Sequence, residues 1–225
     1  MRILIDYRPA LRERTGVGEF VHGLARALSE APEDHVTLFS SSWKDRPATS
    51  LASEIPAARV VDHRIPVRTL AWAWNRCEWP PVEWLAGPCD VVHSQNPMLI
   101  PTRRAAQVVT IHDLDFLKHP DQMAAEIRRD YPRLVREHAS RADGIVVSSR
   151  YAAMEVEREL GVAADRIHLC PPGAPSWATA VARQRPAAAG RRILFVGTLS
   201  ARKNVGTLLD AYALLRSRVP GAPPL

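Results

Sequence analysis

Short apolar runs rich in β-branched residues recur along the chain, and they alternate with segments whose apolar positions lie three or four residues apart. The densest run, residues 107–114, has the pattern of a strand buried on both faces of a parallel sheet. It ends in His112 and Asp113, two polar residues that a buried strand would not carry in its interior. Because ligands of open α/β sheets bind beyond the carboxyl ends of the strands, we expect His112 to face the place where chemistry occurs.

The rest of the pattern predicts an α/β fold with a parallel sheet, because strands and helices alternate. Besides the run before His112, the predicted strands are Arg2–Asp6, His35–Ser40, Arg59–Asp62, Asp90–His93, Asp143–Ser149, Arg166–Cys170 and Arg192–Val196. The predicted helices are one opened by Gly16, a segment within Pro66–Pro81, a long helix from Asp121 to about Arg141 kinked at Pro132, Arg150–Leu160 ended by Gly161, and Asn204–Arg216.

Helical spacing also predicts which residues face the core in the first and last helices, and two residues are predicted N-caps. The predicted inner face is Phe20, Val21, Leu24, Ala27 and Leu28 in the first helix, and Val205, Leu208, Leu209 and Tyr212 in the last. Asp121 and Asn204 are the predicted N-caps of their helices.

A glycine-containing turn joins the first predicted strand to the first helix. Gly16 and Gly18 stand where that helix begins. Glycines let the backbone approach a ligand closely, and a helix N-terminus offers unpaired N–H groups to an anion. The turn therefore indicates either a phosphate site or simply a tight turn, since two glycines are not the full dinucleotide fingerprint.

The composition changes after the seventh predicted strand. Residues 173–190 are rich in Pro, Ala and Gly without periodicity, which is typical of an interdomain linker. A strand, a loop and a helix then follow within residues 191–225. A lone βα unit cannot bury its own faces, so we expect residues 1–172 to form one domain and residues 191–225 to be the incomplete start of a second.

Composition narrows the class of protein without defining it. The 225 residues are 46% hydrophobic and carry a formal charge of +6 with scattered basic residues, so no nucleic-acid-binding arm is predicted. Cys77, Cys89 and Cys170 are far apart and form no metal or disulfide pattern, which favours a reducing compartment. The first apolar run is too short for a signal peptide, and no stretch approaches the ~18 apolar residues of a membrane span. We therefore expect a cytoplasmic protein.

The segment Arg64–Trp84 is unusual because tryptophans and arginines are interleaved in it. It contains Trp72, Trp74, Trp79, Trp84, Arg64, Arg68 and Arg76. A basic helical segment with tryptophans could lie in a membrane interface, as a peripheral contact with the inner face of the cell membrane. The same residues would also suit rings packed on the sheet edge or the wall of an acceptor pocket, and the sequence leaves the three open.

Several stretches, taken in order, resemble the N-terminal domain of the family 4 retaining glycosyltransferases. They are Thr15–Phe20, Asp90–His93, Thr110–Leu114, Val146–Ser149 and Arg166–Gly173. The stretch Ile193–Asn204 resembles the opening of the donor-binding domain of that family, especially of its mannosyltransferase-like members. The resemblance covers essentially the whole chain.

The resemblance implies the GT-B architecture, in which two Rossmann-like domains face each other across a cleft. The first domain would bind a glycan or lipid-linked acceptor and the second a nucleotide diphosphate sugar, with transfer of a hexose, mannose among the candidates, in cell-surface polysaccharide biosynthesis. Two features depart from the family: Thr198 stands where an arginine is common, and no two glutamates have the Glu-x7-Glu spacing that holds the donor. We expect those glutamates to lie beyond Leu225.

The chemistry of such a transfer indicates which residues act. The departing diphosphate needs a preorganised cationic partner, and Arg202 and Lys203 stand before a predicted helix, with Lys203 one of only three lysines. Gly16 and Gly18 would offer backbone N–H groups to the same diphosphate or to the acceptor. His112 would face the reacting sugar as the candidate catalytic residue, unless it is a core histidine.

We expect no metal and no bound cofactor. His112 would be a zinc ligand only with further donors beyond its two neighbouring aspartates, and no cluster offers the usual three or four. A Rossmann-type oxidoreductase is disfavoured because the third glycine and the acidic residue ~20 positions later are missing. A non-catalytic sugar- or nucleotide-binding half of a split GT-B protein stays open as the alternative to a glycosyltransferase.

Overall fold

The chain divides into two compact units, Met1–Pro175 and Ser176–Leu225. The computed structural model describes residues 1–11, 14, 16–119, 125–174, 178, 192–197, 199 and 203–225, and only the backbone of 125–130. Among the described residues, no helix has both the length and the apolar character needed to cross a bilayer.

The first unit is built on a parallel sheet of seven strands in the order β3-β2-β1-β4-β5-β6-β7. The strands are β1 Arg2–Asp6, β2 His35–Ser41, β3 Arg59–His63, β4 Val91–Ser94, β5 Ala106–Ile111, β6 Gly144–Val147 and β7 Ile167–Leu169. Each predicted strand of residues 1–172 is present to within a few residues at its ends. All neighbouring pairs are parallel, which confirms the predicted α/β class with a parallel, Rossmann-like sheet.

Helices cover both faces of this sheet, and the strand pattern explains why. The helices of the first unit are α1 Gly16–Ser29, α2 Leu51–Glu54, α3 Val67–Cys77, α4 Glu83–Ala86, α5 Asp115–Lys118, α6 Ala125–Arg141 and α7 Arg150–Leu160. Successive side chains of β1 point to opposite faces: Ile3 and Ile5 belong to the core cluster that contains Val21 of α1, whereas Leu4 packs with Leu70 and Trp74 of α3. A third cluster joins β5 and β6 to α6 and α7.

Local signals explain the ends of α7. The side chain of Ser149 accepts a hydrogen bond from the backbone N–H of Ala152 at 3.1 Å, which is the N-cap interaction expected of serine. Gly161 ends the helix in the left-handed conformation with φ of 66°, which glycine adopts without steric cost. Pro132 lies inside α6 as predicted, whereas the predicted N-cap Asp121 lies outside the described residues.

The predicted inner face of α1 is partly wrong. Phe20, Val21 and Ala25 are buried, whereas Ala27 is exposed. Ala25 follows Val21 by one helical turn and therefore shares its face, whereas Ala27, two residues after Ala25, lies about 200° further round the axis and leaves that face.

The expectations for the second unit are partly wrong. Residues Arg192–Val196 do not form a strand, and Leu194 and Val196 are each 82% exposed, because the described residues of this unit offer no neighbouring strand. The helix α8, Val205–Arg218, is present with Asn204 at its N-cap position as predicted, but the Asn204 side chain makes no cap hydrogen bond and the residue has φ of 47°. Leu209, predicted to face inward, is 54% exposed, because the described residues of this unit offer no core against which it could pack.

Candidate functional site

A pocket lies at the point where the strand order reverses. β1 has β2 on one side and β4 on the other, so the loops that leave β1 and β4 run in opposite directions and open a crevice at their carboxyl ends. The pocket there has a volume of about 600 Å³. It is lined by Arg8 and Pro9 after β1, by Asn96 and Met98 after β4, and by the inward side of α3. Its position and size are those of a small-molecule site.

An ion pair forms part of the pocket wall. Arg8 donates from Nε to Asp6 Oδ1 at 2.7 Å and from its terminal nitrogen to Asp6 Oδ2 at 2.8 Å, and the Asp6 side chain is fully buried. The Arg8 guanidinium lies 5.0 Å from the ring centroid of Trp74. Burial works to lower the pKa of Arg8, but the charge and hydrogen bonds of Asp6 outweigh it and leave that pKa raised. The Arg8 guanidinium is therefore charged at every ordinary pH.

Another part of the pocket wall combines an aromatic ring with amide groups. Trp74 is buried and donates from its indole nitrogen to the carbonyl of Pro80 at 3.0 Å, which holds the ring in place. Asn75 and Asn96 line the pocket, and Asn96 Oδ1 accepts the backbone N–H of Met98 at 2.9 Å. A fixed ring beside amide and charged groups suits a ligand with both apolar faces and hydroxyl groups, as a sugar has.

His112 follows the end of β5, at the carboxyl edge where the sequence predicted it. Its ring meets Phe20 of α1 edge to face at a centroid distance of 5.3 Å. Burial lowers the pKa of His112, and the Asp113 carboxylate opposes the shift. Nε2 is buried and makes no hydrogen bond with the described residues. The imidazole is therefore neutral near pH 7, and one of its ring nitrogens has no partner among the described residues.

Next to His112, a chain of buried polar side chains crosses from β4 to β5. His93 Nε2 lies 2.8 Å from Thr110 Oγ1, and Thr110 Oγ1 lies 3.5 Å from Gln95 Oε1. Burial lowers the pKa of His93 to about 4; Asp6 opposes the shift and His112 adds to it. His93 is thus neutral in the folded protein, and the hydrogen-bonded series His93, Thr110 and Gln95 carries no charge.

The two glycines at the start of α1 differ in their surroundings. A Cβ on Gly18 would lie 3.2 Å from the carbonyl oxygen of Pro9, so this position needs glycine for the close approach of the Arg8–Ala10 turn. Gly16 has open space around it and is exposed. Packing accounts for Gly18, while the diphosphate role of both glycines stays a prediction.

The predicted cationic pair belongs to the second unit. Lys203 is exposed and directly precedes Asn204 and α8, and Arg202 lies outside the described residues. In the part of the chain that the structure describes, no group of three or more His, Cys, Asp or Glu side chains could hold a metal ion, so His112 has no set of co-ligands there.

The tryptophans of the segment Arg64–Trp84 divide into two environments. Trp74 belongs to the pocket wall and the core, whereas Trp72, Trp79 and Trp84 are 62%, 57% and 60% exposed. The rings of Trp79 and Trp84 stack edge to face at 6.1 Å. The sequence pattern of this segment does not distinguish its buried ring from its exposed rings.

Asp6, Arg8 and Asn96 are site residues that sequence analysis missed. Asp6 gave the same signal as His112, a polar residue at the end of an apolar strand, and Arg8 follows it by two positions. The strand order that brings the β4 loop beside them depends on pairing between distant strands, which no local pattern reveals.

The fold and the site together define the class of the protein. A parallel sheet of order 3-2-1-4-5-6-7, with a pocket at its switch point, is the Rossmann-like architecture of one GT-B glycosyltransferase domain. Structures of HepE from Anabaena, described as complexes with UDP, with UDP and glucose, and with UDP-glucose, resemble this chain with TM-scores of 0.52 to 0.54 at 15–16% sequence identity. The alignments cover 95% of this chain and 57% of the HepE chain.

The chain belongs to glycosyltransferase family 4, whose sequence model matches residues 14–176. The resemblance noted in the sequence is thereby confirmed. No curated protein matches the chain. Because the chain spans 57% of the length of the HepE structures, these relatives show its fold, and the activity of the whole protein is a matter for proposal.

Proposed function

We propose that the protein transfers a hexose, with mannose among the candidates, from a nucleotide diphosphate sugar to a glycan or lipid-linked acceptor. We propose further that the anomeric configuration is retained and that the reaction belongs to cell-surface polysaccharide biosynthesis in the cytoplasm. The observation that carries the proposal is the pocket of about 600 Å³ at the switch point of a family 4 domain. HepE, with UDP-glucose in its structure, makes UDP-glucose the first donor to test.

In this proposal residues 1–172 bind the acceptor and residues 191–225 begin the donor domain. The acceptor pocket is supported by the ring of Trp74 and by the amides of Asn75 and Asn96, which offer a stacking surface and hydroxyl partners to a sugar. The fixed Asp6–Arg8 pair supports the same role, because it keeps the β1 loop in one shape as the acceptor binds.

Charge stabilisation is proposed to come from Arg202 and Lys203, with backbone N–H groups at Gly16 and Gly18. A diphosphate that leaves the sugar gains negative charge, and cations or N–H groups fixed in advance stabilise that charge most effectively. The exposed ammonium of Lys203 before α8 supports the assignment, since helix N-termini attract phosphates. His112, neutral and with an unpaired Nε2, is proposed to bind a hydroxyl of the reacting sugar. No metal and no cofactor take part in the proposal.

A peripheral membrane contact is proposed for the outward side of the segment Arg64–Trp84. Arg68, Trp72 and Arg76 follow one another at four-residue intervals on α3, opposite the buried Leu70 and Trp74. The exposed rings of Trp79 and Trp84 contact each other later in the same segment, and exposed tryptophans near arginines are typical of surfaces that bind anionic lipid headgroups. The segment would thereby hold the acceptor pocket near lipid-linked substrates.

The membrane contact is tested with vesicles of phosphatidylcholine, with and without phosphatidylglycerol. We expect sedimentation with the anionic vesicles and its loss in a Trp79→Ala/Trp84→Ala variant. Met154→Ala is the matched control, because Met154 is 60% exposed on α7 and outside this surface. Equal binding of both variants would refute the assignment.

The function is tested by incubating the full-length protein with UDP- and GDP-hexoses and a panel of glycan and lipid-linked acceptors. We expect transfer from one donor, and nuclear magnetic resonance of the new glycosidic bond to show the same anomeric configuration as in the donor. Binding of a nucleotide sugar without transfer to any acceptor would instead favour the non-catalytic half of a split GT-B protein.

A further inference from the structure

Unpaired buried polar atoms are concentrated after β4 and β5. Among the residues the structure describes, four buried side-chain atoms lack a hydrogen-bond partner, and three of them belong to Gln95, His112 and Asp115. Buried polar atoms in native proteins are nearly always paired, so each exception needs an explanation. Three exceptions that follow two adjacent strands, at the carboxyl edge of the sheet, point to a ligand that pairs them.

Gln95 is the most buried of the three, with 1% of its surface exposed. One end of its carboxamide, Oε1, lies 3.5 Å from Thr110 Oγ1, and the other, Nε2, is unpaired. Turning the carboxamide over would exchange the two atoms and still leave one end unpaired. A fully buried amide group with an unused hydrogen-bonding end is costly to keep in the free protein.

Gln95 and His112 lie on the same face of the sheet. The register pairs Ser94 of β4 with Val109 of β5, so Gln95 continues the pairing beside Thr110. Side chains two residues apart share a face, which places His112 with Thr110 and therefore with Gln95. Thr110, the partner of Gln95, is itself held by its hydrogen bond with His93. On the same face of the sheet, the ring of Phe20 packs against the ring of His112.

We propose that Gln95 binds a hydroxyl group of the transferred sugar, beside His112. The inference rests on the proposed glycosyl transfer and assigns it a second sugar-binding residue. A carboxamide can donate to a hydroxyl or accept from it, and the chain through Thr110 and His93 holds it in position before the sugar arrives. A site whose buried polar group is left unpaired rejects sugars that lack the matching hydroxyl, so Gln95 is a determinant of donor specificity.

The competing explanation is a glutamine kept for structure, paired with a trapped water, and stability measurements separate the two. Gln107 is the matched control, because it is a glutamine at the other end of β5 whose Nε2 donates to the Ile100 carbonyl at 2.7 Å. We expect Gln107→Leu to lower the urea midpoint, because it loses a 2.7 Å hydrogen bond. Gln95→Leu should leave the midpoint unchanged or raise it, because it loses only the long 3.5 Å bond from Thr110 and removes a buried unpaired end. A fall of equal size in both variants would overturn the proposal.

The ligand role is tested by calorimetric titration of the full-length protein with the UDP-hexose that it binds best, with UDP, and with the deoxy analogues of that hexose. We expect Gln95→Leu to weaken the UDP-hexose about 2- to 10-fold, as for one neutral hydrogen bond, and to leave UDP unchanged. One deoxy analogue should bind the wild type more weakly than the parent UDP-hexose does. The same analogue and the parent UDP-hexose should bind the Gln95→Leu variant with equal affinity. Gln107→Leu should keep the wild-type ranking.

The outcomes distinguish this inference from the proposed function. If the wild type prefers a UDP-hexose to UDP and Gln95→Leu discriminates every deoxy analogue as the wild type does, Gln95 binds no sugar hydroxyl, and only this inference is overturned. If no UDP- or GDP-hexose binds more tightly than its nucleoside diphosphate, the proposed transfer itself fails and the role of Gln95 with it.

Discussion

Asp6 and Arg8, two residues apart, form a two-pronged ion pair within a single turn of chain, with distances of 2.7 and 2.8 Å. The backbone N–H of Arg8 also donates to Asp6 Oδ1 at 3.2 Å. Three bonds to one carboxylate leave the start of the β1–α1 loop a single conformation. Since this loop borders the pocket, the Asp6–Arg8 pair determines the shape of this side of the pocket.

Removal of one member of this pair should be far more costly than removal of both. Asp6→Ala leaves the buried Arg8 guanidinium without its counter-charge, which should lower the free energy of unfolding by about 3–5 kcal/mol. An Asp6→Leu/Arg8→Met double variant should be much closer to the wild type. Urea denaturation of the variants measures both values.

Arg26 and Glu30 serve as the control pair, because they are exposed at 51% and 68% and lie 3.4 Å apart on one helix surface. Glu30→Ala should change the free energy of unfolding by less than about 1 kcal/mol. A similarly small effect of Asp6→Ala would mean that the pocket pair is solvated and does not fix the loop.

The neutral, buried His93 should make the protein less stable in mild acid. Its pKa is lowered to about 4 in the folded protein, against about 6.5 when unfolded, so between these values the unfolded chain binds more protons. Stability is therefore complete above pH 6.5 and falls as pH drops towards 4, by about 3 kcal/mol in total.

Denaturation by urea at pH 7, 5.5 and 4.5 checks this, with His93→Gln as the comparison. Glutamine does not titrate, so the variant should lose less stability on acidification than the wild type. Burial also lowers the pKa of His112 and His138, so a smaller slope of the same sign should remain in the variant. Parallel pH profiles for the two proteins would contradict the buried neutral state of His93.

In the full-length protein, His112→Ala should reduce turnover by roughly 100-fold or more, the scale of a lost positioned group in an active site. The fold should persist, because the ring touches Phe20 but its Nε2 holds no bond within the described structure. Circular dichroism and turnover per folded molecule separate the two effects. Unfolding with undiminished activity of the remaining folded molecules would identify His112 as a core histidine.

Substitution of Arg202 or Lys203 by alanine should weaken binding of a nucleoside diphosphate, but not of the nucleoside. One charge-assisted hydrogen bond contributes about 1.5–3 kcal/mol, so each change should cost roughly 10- to 150-fold. Calorimetric titration with UDP and uridine measures the difference in the full-length protein. Arg216→Ala, at the far end of α8, is the charge-matched control. Equal small losses for UDP and uridine would mean that the two residues form a solvated turn.

Local patterns were sufficient to predict the strands of the sheet, because a strand between two layers of helices must be apolar on both faces. A Val-rich run such as residues 108–111 suits only a strand buried in this way. They failed at Arg192–Val196, where the apolar run has no described neighbour to pair with. Hydrophobicity indicates that a segment can form a strand, and pairing decides whether it does.

The candidate site was predicted in part for the same reason. His112 stands at the carboxyl end of a recognisable strand, so its position followed from the pattern. The pocket between Arg8 and Asn96 depends on β1 lying beside β4, and the unpaired state of Gln95 depends on which side chains surround it. Both are properties of tertiary packing, and they cannot be predicted from residues that are neighbours in the sequence.

The pairing of β1 with β4 also has a consequence for how the chain is made. Ile3 pairs with Val91, which is 91 − 3 = 88 positions later, whereas its other partner Val36 is only 33 positions away. At a synthesis rate of about 5–20 residues per second, one edge of β1 is without its partner for about 4–18 seconds while the chain is translated. During that time β1 is an open edge that another chain can occupy, so the centre of the finished sheet is the place where the nascent protein is most exposed to misassembly.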